Sequence, residues 1–147
     1  MAKALAEKLI QTQNATLNPD LACAGGLVHD IAKGQPHHEE AGFDLLCALN
    51  LPILANLVRS HRDLVLPQNE PITERELVYL ADKYCHGKDF VPIQTRFAQK
   101  QALFSQNPEA LAAIKTRKSH ALALEARLKA EIAEEPARIA QNICASL

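Results

Sequence analysis

Apolar positions recur along this chain at three- and four-residue spacing, while the two-residue alternation of half-buried strands is nearly absent. Leu5, Leu9 and Ile10 share one face of a helix predicted over 2–13. Asn18-Pro19-Asp20 supplies a capping side chain, a proline at the first helical position and an acid in the first turn. It opens a second helix through Leu21 and Val28 to Lys33, where Gly34 stops it. Pro36 starts a third helix, to about Leu49. Pro52 starts a fourth, to about His61, with Ile53, Leu54, Leu57 and Val58 as its apolar residues. A loop over Leu64 to Ile72 contains Pro67 and Pro71.

Thr73 and Glu76 have capping-box spacing and open a fifth helix with Leu77, Leu80, Ala81 and Tyr84 inward, ending near Gly87. Pro92 opens a sixth, with Ile93, Phe97 and either Leu103 or Phe104 inward. Asn107-Pro108-Glu109 caps a long seventh helix reaching about Glu134, and Pro136 begins a short terminal one. Most prolines thus fall at helix starts, and no Asn-Gly or Asp-Gly hairpin dipeptide occurs. The pattern predicts an all-α fold, a compact multi-helix bundle with a long C-terminal helix. The 147 residues suit one domain over 1–147, with a core over 1–100 and a C-terminal helical extension over 101–147.

Composition narrows the partners. The chain is 48% hydrophobic and 22% charged with a net charge of -1, which gives no electrostatic footprint for nucleic acid or an anionic membrane. Aromatic residues make up 4%, without tryptophan, too few for a base-stacking platform. Cys23, Cys47, Cys85 and Cys144 form no CxxC pair and read as small apolar side chains in a reducing compartment. The opening Met1-Ala2-Lys3-Ala4-Leu5-Ala6-Glu7-Lys8 lacks a signal-peptide pattern, and the longest apolar runs fall short of a membrane span. A cytoplasmic protein with no nucleic-acid or membrane partner is expected. The seventh helix carries Leu111, Ile114, Ala121, Leu122, Leu124, Leu128 and Ile132, a stripe for packing along the bundle or, alternatively, for a homodimer through the C-terminal helix.

Chemistry concentrates in four segments. His29-Asp30 ends an apolar run, where a buried carboxylate is costly without a partner, and a divalent metal is one such partner. A backbone bond or Lys33 is another. His37 and His38 are adjacent at a helix start, so only one can face a given point, and His38 has Gly42 four residues on to admit close packing behind it. His61 lies four residues after Leu57, on the inward face, and Asp82 lies between Leu80-Ala81 and Tyr84. Helical bundles build metal sites from ligands offered this way. His86, four residues after Asp82, reads as a cap of the helix end, and His120 as a surface residue. Gly25-Gly26 inside the second helix reads as close helix packing.

Leu27-Val28-His29-Asp30-Ile31-Ala32-Lys33-Gly34 resembles the signature of the HD superfamily of metal-dependent phosphohydrolases, and His38-Glu39-Glu40-Ala41-Gly42, Arg59-Ser60-His61 and Leu80-Ala81-Asp82-Lys83-Tyr84 follow in the order of its dinuclear members. The resemblance covers roughly residues 1–100. It implies that Asp30 bridges two divalent ions (iron, manganese or zinc), with His29 and Asp82 serving the first and His38 and His61 the second. It also implies catalytic roles for Asp30 and for Lys33, which is placed to meet a phosphate oxygen, and weaker substrate-binding roles for Arg62 and Lys83. Glu39 or Asp63 would orient ligating imidazoles.

The family carries a further His on the helix before the His-Asp pair, and this chain has none before His29. Three explanations stand side by side: a late start, a weakened or empty first site, or loss of catalysis with the fold retained. The implied function is a metal-dependent phosphohydrolase acting on a nucleotide or other small phosphoester. The alternative is a catalytically silent helical module that binds a nucleotide or a protein partner.

Overall fold

The computed structural model describes every residue except 60, 62, 65–69 and 147. Among the described residues there are eight helices: α1 (Ala2–Gln13), α2 (Pro19–Val28), α3 (His38–Ala48), α4 (Pro52–Arg59), α5 (Glu74–Tyr84), α6 (Ile93–Leu103), α7 (Pro108–Ile132) and α8 (Pro136–Ala145). Their starts follow the local chemistry. The Asn18 side chain accepts from the backbone N–H of Asp20 and Leu21, both at 3.0 Å, with Pro19 at the first helical position. Asn107 accepts from Ala110 N–H at 2.9 Å in the same way, ahead of Pro108. At α5 the Thr73 N–H donates to the Glu76 carboxylate at 2.8 Å. Glu76 is itself buried, so the charge of Arg75 at 2.8 Å compensates its lost hydration.

α5 is the helix around which the others assemble, packing against α1, α2, α4, α6, α7 and α8. Its Leu77, Val78, Tyr79, Leu80, Ala81 and Tyr84 are buried, as expected of a helix enclosed on all sides. Leu5 and Leu9 from α1, Ile93 and Phe97 from α6, and Leu124, Leu128 and Ile132 from α7 complete that core. Each such large side chain contributes about 1.5–3 kcal/mol by leaving water. A smaller cluster of Leu46, Ala55 and Val58, with Val28, Phe43 and Leu54 against it, holds α3 to α4. At Gly25 a Cβ would lie 3.0 Å from Val78 Cγ2 and 3.3 Å from Leu57 Cδ1, so any side chain there would force those two to give by a few tenths of an ångström.

Several boundaries differ from the sequence expectation. α2 ends at Val28, not Lys33, and residues 29–34 form consecutive turns closed by Ile31 N–H to Val28 O at 3.0 Å and Lys33 N–H to Asp30 O at 2.9 Å. The three-residue closure is tighter than an α-helix and turns Asp30 away from the α2 axis, before Gly34 at φ 98° redirects the chain. α3 begins at His38 and not Pro36, with His37 at φ 49° just ahead of it. α5 ends at Tyr84, and a two-residue antiparallel ladder, β1 (Cys85–His86) with β2 (Asp89–Phe90), follows around Gly87 at φ 64°. Strands this short leave no alternation to detect in a sequence.

His86 therefore sits exposed on β1 and shares no helix face with Asp82. α6 stops at Leu103, so Leu103 and Phe104 are 78% and 43% exposed, and neither turns inward. The loop expected over Leu64 to Ile72 falls partly, and Arg62 entirely, outside the described residues. Among the described residues no helix is long and apolar enough to cross a membrane.

Candidate metal centre

Asp30 stands where the turns after α2 meet the start of α3 and the end of α4. Its Oδ1 lies 3.6 Å from His38 Nε2 and 3.4 Å from His61 Nε2. Its Oδ2 lies 3.7 Å from His29 Nε2 and 2.5 Å from Lys33 Nζ. The two carboxylate oxygens thus look toward two different imidazole groupings. On one side, Asp30, His38 and His61 each offer one ligand atom, all within 4.8 Å of one another, and this is the one such group of three among the described residues. On the other side His29 Nε2 lies 3.6 Å from Asp82 Oδ1.

The imidazoles are oriented by backbone carbonyls. His61 Nδ1 is 2.6 Å from Val58 O, and His29 Nδ1 is 2.8 Å from Gly26 O. A carbonyl only accepts, so each Nδ1 carries a proton; the Nε2 lone pair of neutral His61 then faces Asp30, whereas His29 Nε2 also faces Asp82 and donates to it when the ring is protonated. His38 Nδ1 lies 3.5 Å from Glu39 Oε2, which favours the same tautomer. His38 Nε2 and His61 Nε2 approach to 3.3 Å. Two ring nitrogens facing one another beside a carboxylate are what a bound cation would hold together, so the donor set fits a divalent ion.

Charge is arranged accordingly. Burial alone would raise the Asp30 carboxyl, but the Lys33 hydrogen bond and the nearby His29 outweigh it and hold the group below its ordinary value. Burial likewise opposes ionisation of Asp82, and the His29 hydrogen bond and the Lys83 charge overcome it, holding that carboxyl far below the ordinary range. His29 is raised, chiefly by its bond to Asp82, whereas burial lowers His61, which is 4% exposed.

The remaining expected residues separate. Lys33 projects into solvent, its side chain 76% exposed, with its ammonium on Asp30. Lys83, expected at the substrate, is instead buried: its ammonium donates to Asp82 Oδ2 at 2.5 Å and to His61 O at 3.1 Å, and lies 4.4 Å over the Tyr79 ring. That makes it a counter-charge behind the centre. Asp63 meets Arg117 at 2.5 Å, and His37 is exposed. Gly42 does lie behind His38, facing Ile31, Ala32 and Val58.

Sequence reasoning missed Arg96, whose guanidinium lies 3.4 Å from Asp82 Oδ1 and also donates to the Cys85 carbonyl. The signal was present: Arg96 and Lys100 share the α6 face of buried Ile93 and Phe97 at helical spacing.

Fold and centre together define an all-α protein with an Asp/His/His group able to hold a metal ion. A family model for the HD domain matches residues 1–87, which span α1 to α5 and every ligand described above, and the chain belongs to the HD-domain family. No curated protein and no solved structure matches the chain.

Proposed function

We propose that the protein is a metal-dependent phosphohydrolase acting on a nucleotide or other small phosphoester. The observation that carries this reading is the convergence of Asp30, His38 and His61, from three separate segments, to within 4.8 Å. In this reading those three side chains hold one iron, manganese or zinc ion, and His29 and Asp82 with the second Asp30 oxygen form a weaker position for another. A bound divalent ion supplies an acidified water and neutralises charge developing on phosphorus. Lys33, exposed and one turn past Asp30, meets a non-bridging phosphate oxygen as a point charge. The Val58 and Gly26 carbonyls fix which nitrogen of His61 and His29 faces the reaction. Glu39 steadies His38.

A single domain over 1–147 and a cytoplasmic setting without nucleic-acid or membrane partners belong to the same proposal. A homodimer through α7 would have to use the exposed face of that helix, because Ile114, Ala121, Leu124, Leu128 and Ile132 are already buried in the core. The competing reading, a catalytically silent module that binds a nucleotide or a protein partner, is favoured by the position at His29 and Asp82, which has only the Asp30 oxygen shared with the other position as a third donor.

The two readings part in one experiment. Metal content of the purified chain is measured, together with release of phosphate from a nucleotide panel in added manganese or iron. The enzyme reading expects bound metal and turnover that Asp30→Ala abolishes. Bound metal without turnover establishes the silent module, and turnover that survives Asp30→Ala removes the centre from the chemistry.

A further inference from the structure

Behind the metal centre, α5, α6 and α7 border a cavity of about 490 Å3. That volume lies within the ~300–1,000 Å3 of small-molecule sites. Three cations, Lys83, Lys100 and Arg117, and two rings, Phe97 and Phe104, stand in its wall. Ile114 and two alanines of α7 supply apolar surface, and Asn107 and Glu109 complete the lining.

Carboxylates already answer most of these cations, with Glu39 as well as Asp63 acting on Arg117. Asp82 already serves Lys83 at 2.5 Å and Arg96 at 3.4 Å, and Asp63 serves Arg117 at 2.5 Å. Lys100 lies 5.9 Å over the Phe97 ring and joins no ion pair among the described residues. Glu109 is the one carboxylate in the lining itself. Partial burial, and then the charges of Arg96 and Lys83, push the Lys100 ammonium below its ordinary value, with the Asp82 carboxylate opposing them. An anion entering the cavity relieves that repulsion. Beside Lys100 the half-open ring of Phe104 offers aromatic surface, on which a flat heterocycle stacks.

We propose that this cavity binds a nucleoside phosphate, its phosphate on Lys100 and its base against Phe104. The proposal deepens the phosphohydrolase reading and rests on it for the choice of a nucleotide over other aromatic phosphates. Lys83 joins the two places: it lines the cavity while its ammonium donates to Asp82 and to the His61 carbonyl, so the occupant sits directly behind the ligands of the centre. The nucleoside phosphate is either the distal half of a dinucleotide substrate or a separate mononucleotide effector.

The test titrates AMP into the full chain in EDTA, followed by calorimetry and by amide chemical shifts. Lys100→Glu is expected to weaken binding about tenfold or more, and Phe104→Ala about fivefold. Both residues are exposed, and far-UV circular dichroism verifies that both variants fold. Asp30→Asn, which disables the centre, is expected to leave AMP affinity unchanged. Retained AMP binding in a chain with no turnover would therefore sink the hydrolase reading and keep the cavity. Equal affinity of wild type and both cavity variants, or no saturation at millimolar AMP, overturns the cavity proposal whatever the activity. AMP that raises KM for a dinucleotide at constant kcat identifies the occupant as the substrate's distal half; AMP that changes kcat identifies an effector.

Discussion

Asp30→Asn isolates the metal centre from the fold. Asparagine keeps the shape of the side chain and removes the anionic oxygen that faces both His38 and His61. Its other partner, Lys33, is 76% exposed, so losing that ion pair costs under about 1 kcal/mol and the variant stays folded. In the wild type, a divalent ion at a hundred times its dissociation constant stabilises the folded state by about 2.7 kcal/mol. For a chain of this size that is a rise in Tm of roughly 5–11 °C. In the variant, two imidazoles 3.3 Å apart remain. If affinity falls about a hundredfold, the same metal concentration gives only ~0.4 kcal/mol, a shift of at most about 2 °C. Differential scanning fluorimetry with manganese and zinc, each paired with an EDTA control, reads the difference directly. A variant that gains as many degrees from metal as the wild type would place the ion elsewhere and refute the assignment of Asp30, His38 and His61.

Three further outcomes follow from the same geometry. Lys83→Met leaves the largely desolvated Asp82 with one cation fewer and is expected to destabilise the protein by about 2–4 kcal/mol in urea unfolding, whereas a cost under ~1 kcal/mol would show that Arg96 and His29 compensate alone. Gly25→Ala gains up to ~1 kcal/mol of helix propensity but drives a Cβ to 3.0 Å from the buried Val78, so chemical denaturation should show a net loss of about 0–2 kcal/mol, and a stabilised variant would mean that α2 and α5 can part. In an NMR titration of the metal-free protein, His29 should titrate above 6.5 and His61 below it. The His29–Asp82 pairing then contributes stability that is present below pH 6.5 and lost as pH rises through the raised His29 value, while the contribution of neutral His61 is lost as pH falls below 6.5; reversed midpoints would contradict the burial and partners assigned to the two rings.

The linear pattern alone determined the helical class, the starts of most helices and the set of candidate ligands. Asn18, Thr73 and Asn107 are capping residues whose chemistry acts within a few residues, so their helices could be located before any packing was known. The α7 stripe of Ile114, Ala121, Leu124, Leu128 and Ile132 was legible for the same reason, since helical spacing fixes a face. The resemblance to the HD superfamily added the ordered set His29, Asp30, His38, His61 and Asp82, and the family match bears out the membership.

Which of those residues gather was decided by the tertiary structure. Asp30 meets His38 and His61 because the chain leaves α-geometry after Val28, a change of pitch produced by three-residue turns and by packing of Ile31 and Ala32 against Gly42. Lys83 turned inward because the neighbouring Asp82 carboxylate is largely withdrawn from water and requires a cation beside it, and Arg96 and Arg117 were recruited from helices distant in the chain to Asp82 and Asp63. Local propensity is a property of a few consecutive residues, whereas the balance of buried charge depends on groups that only folding brings into contact.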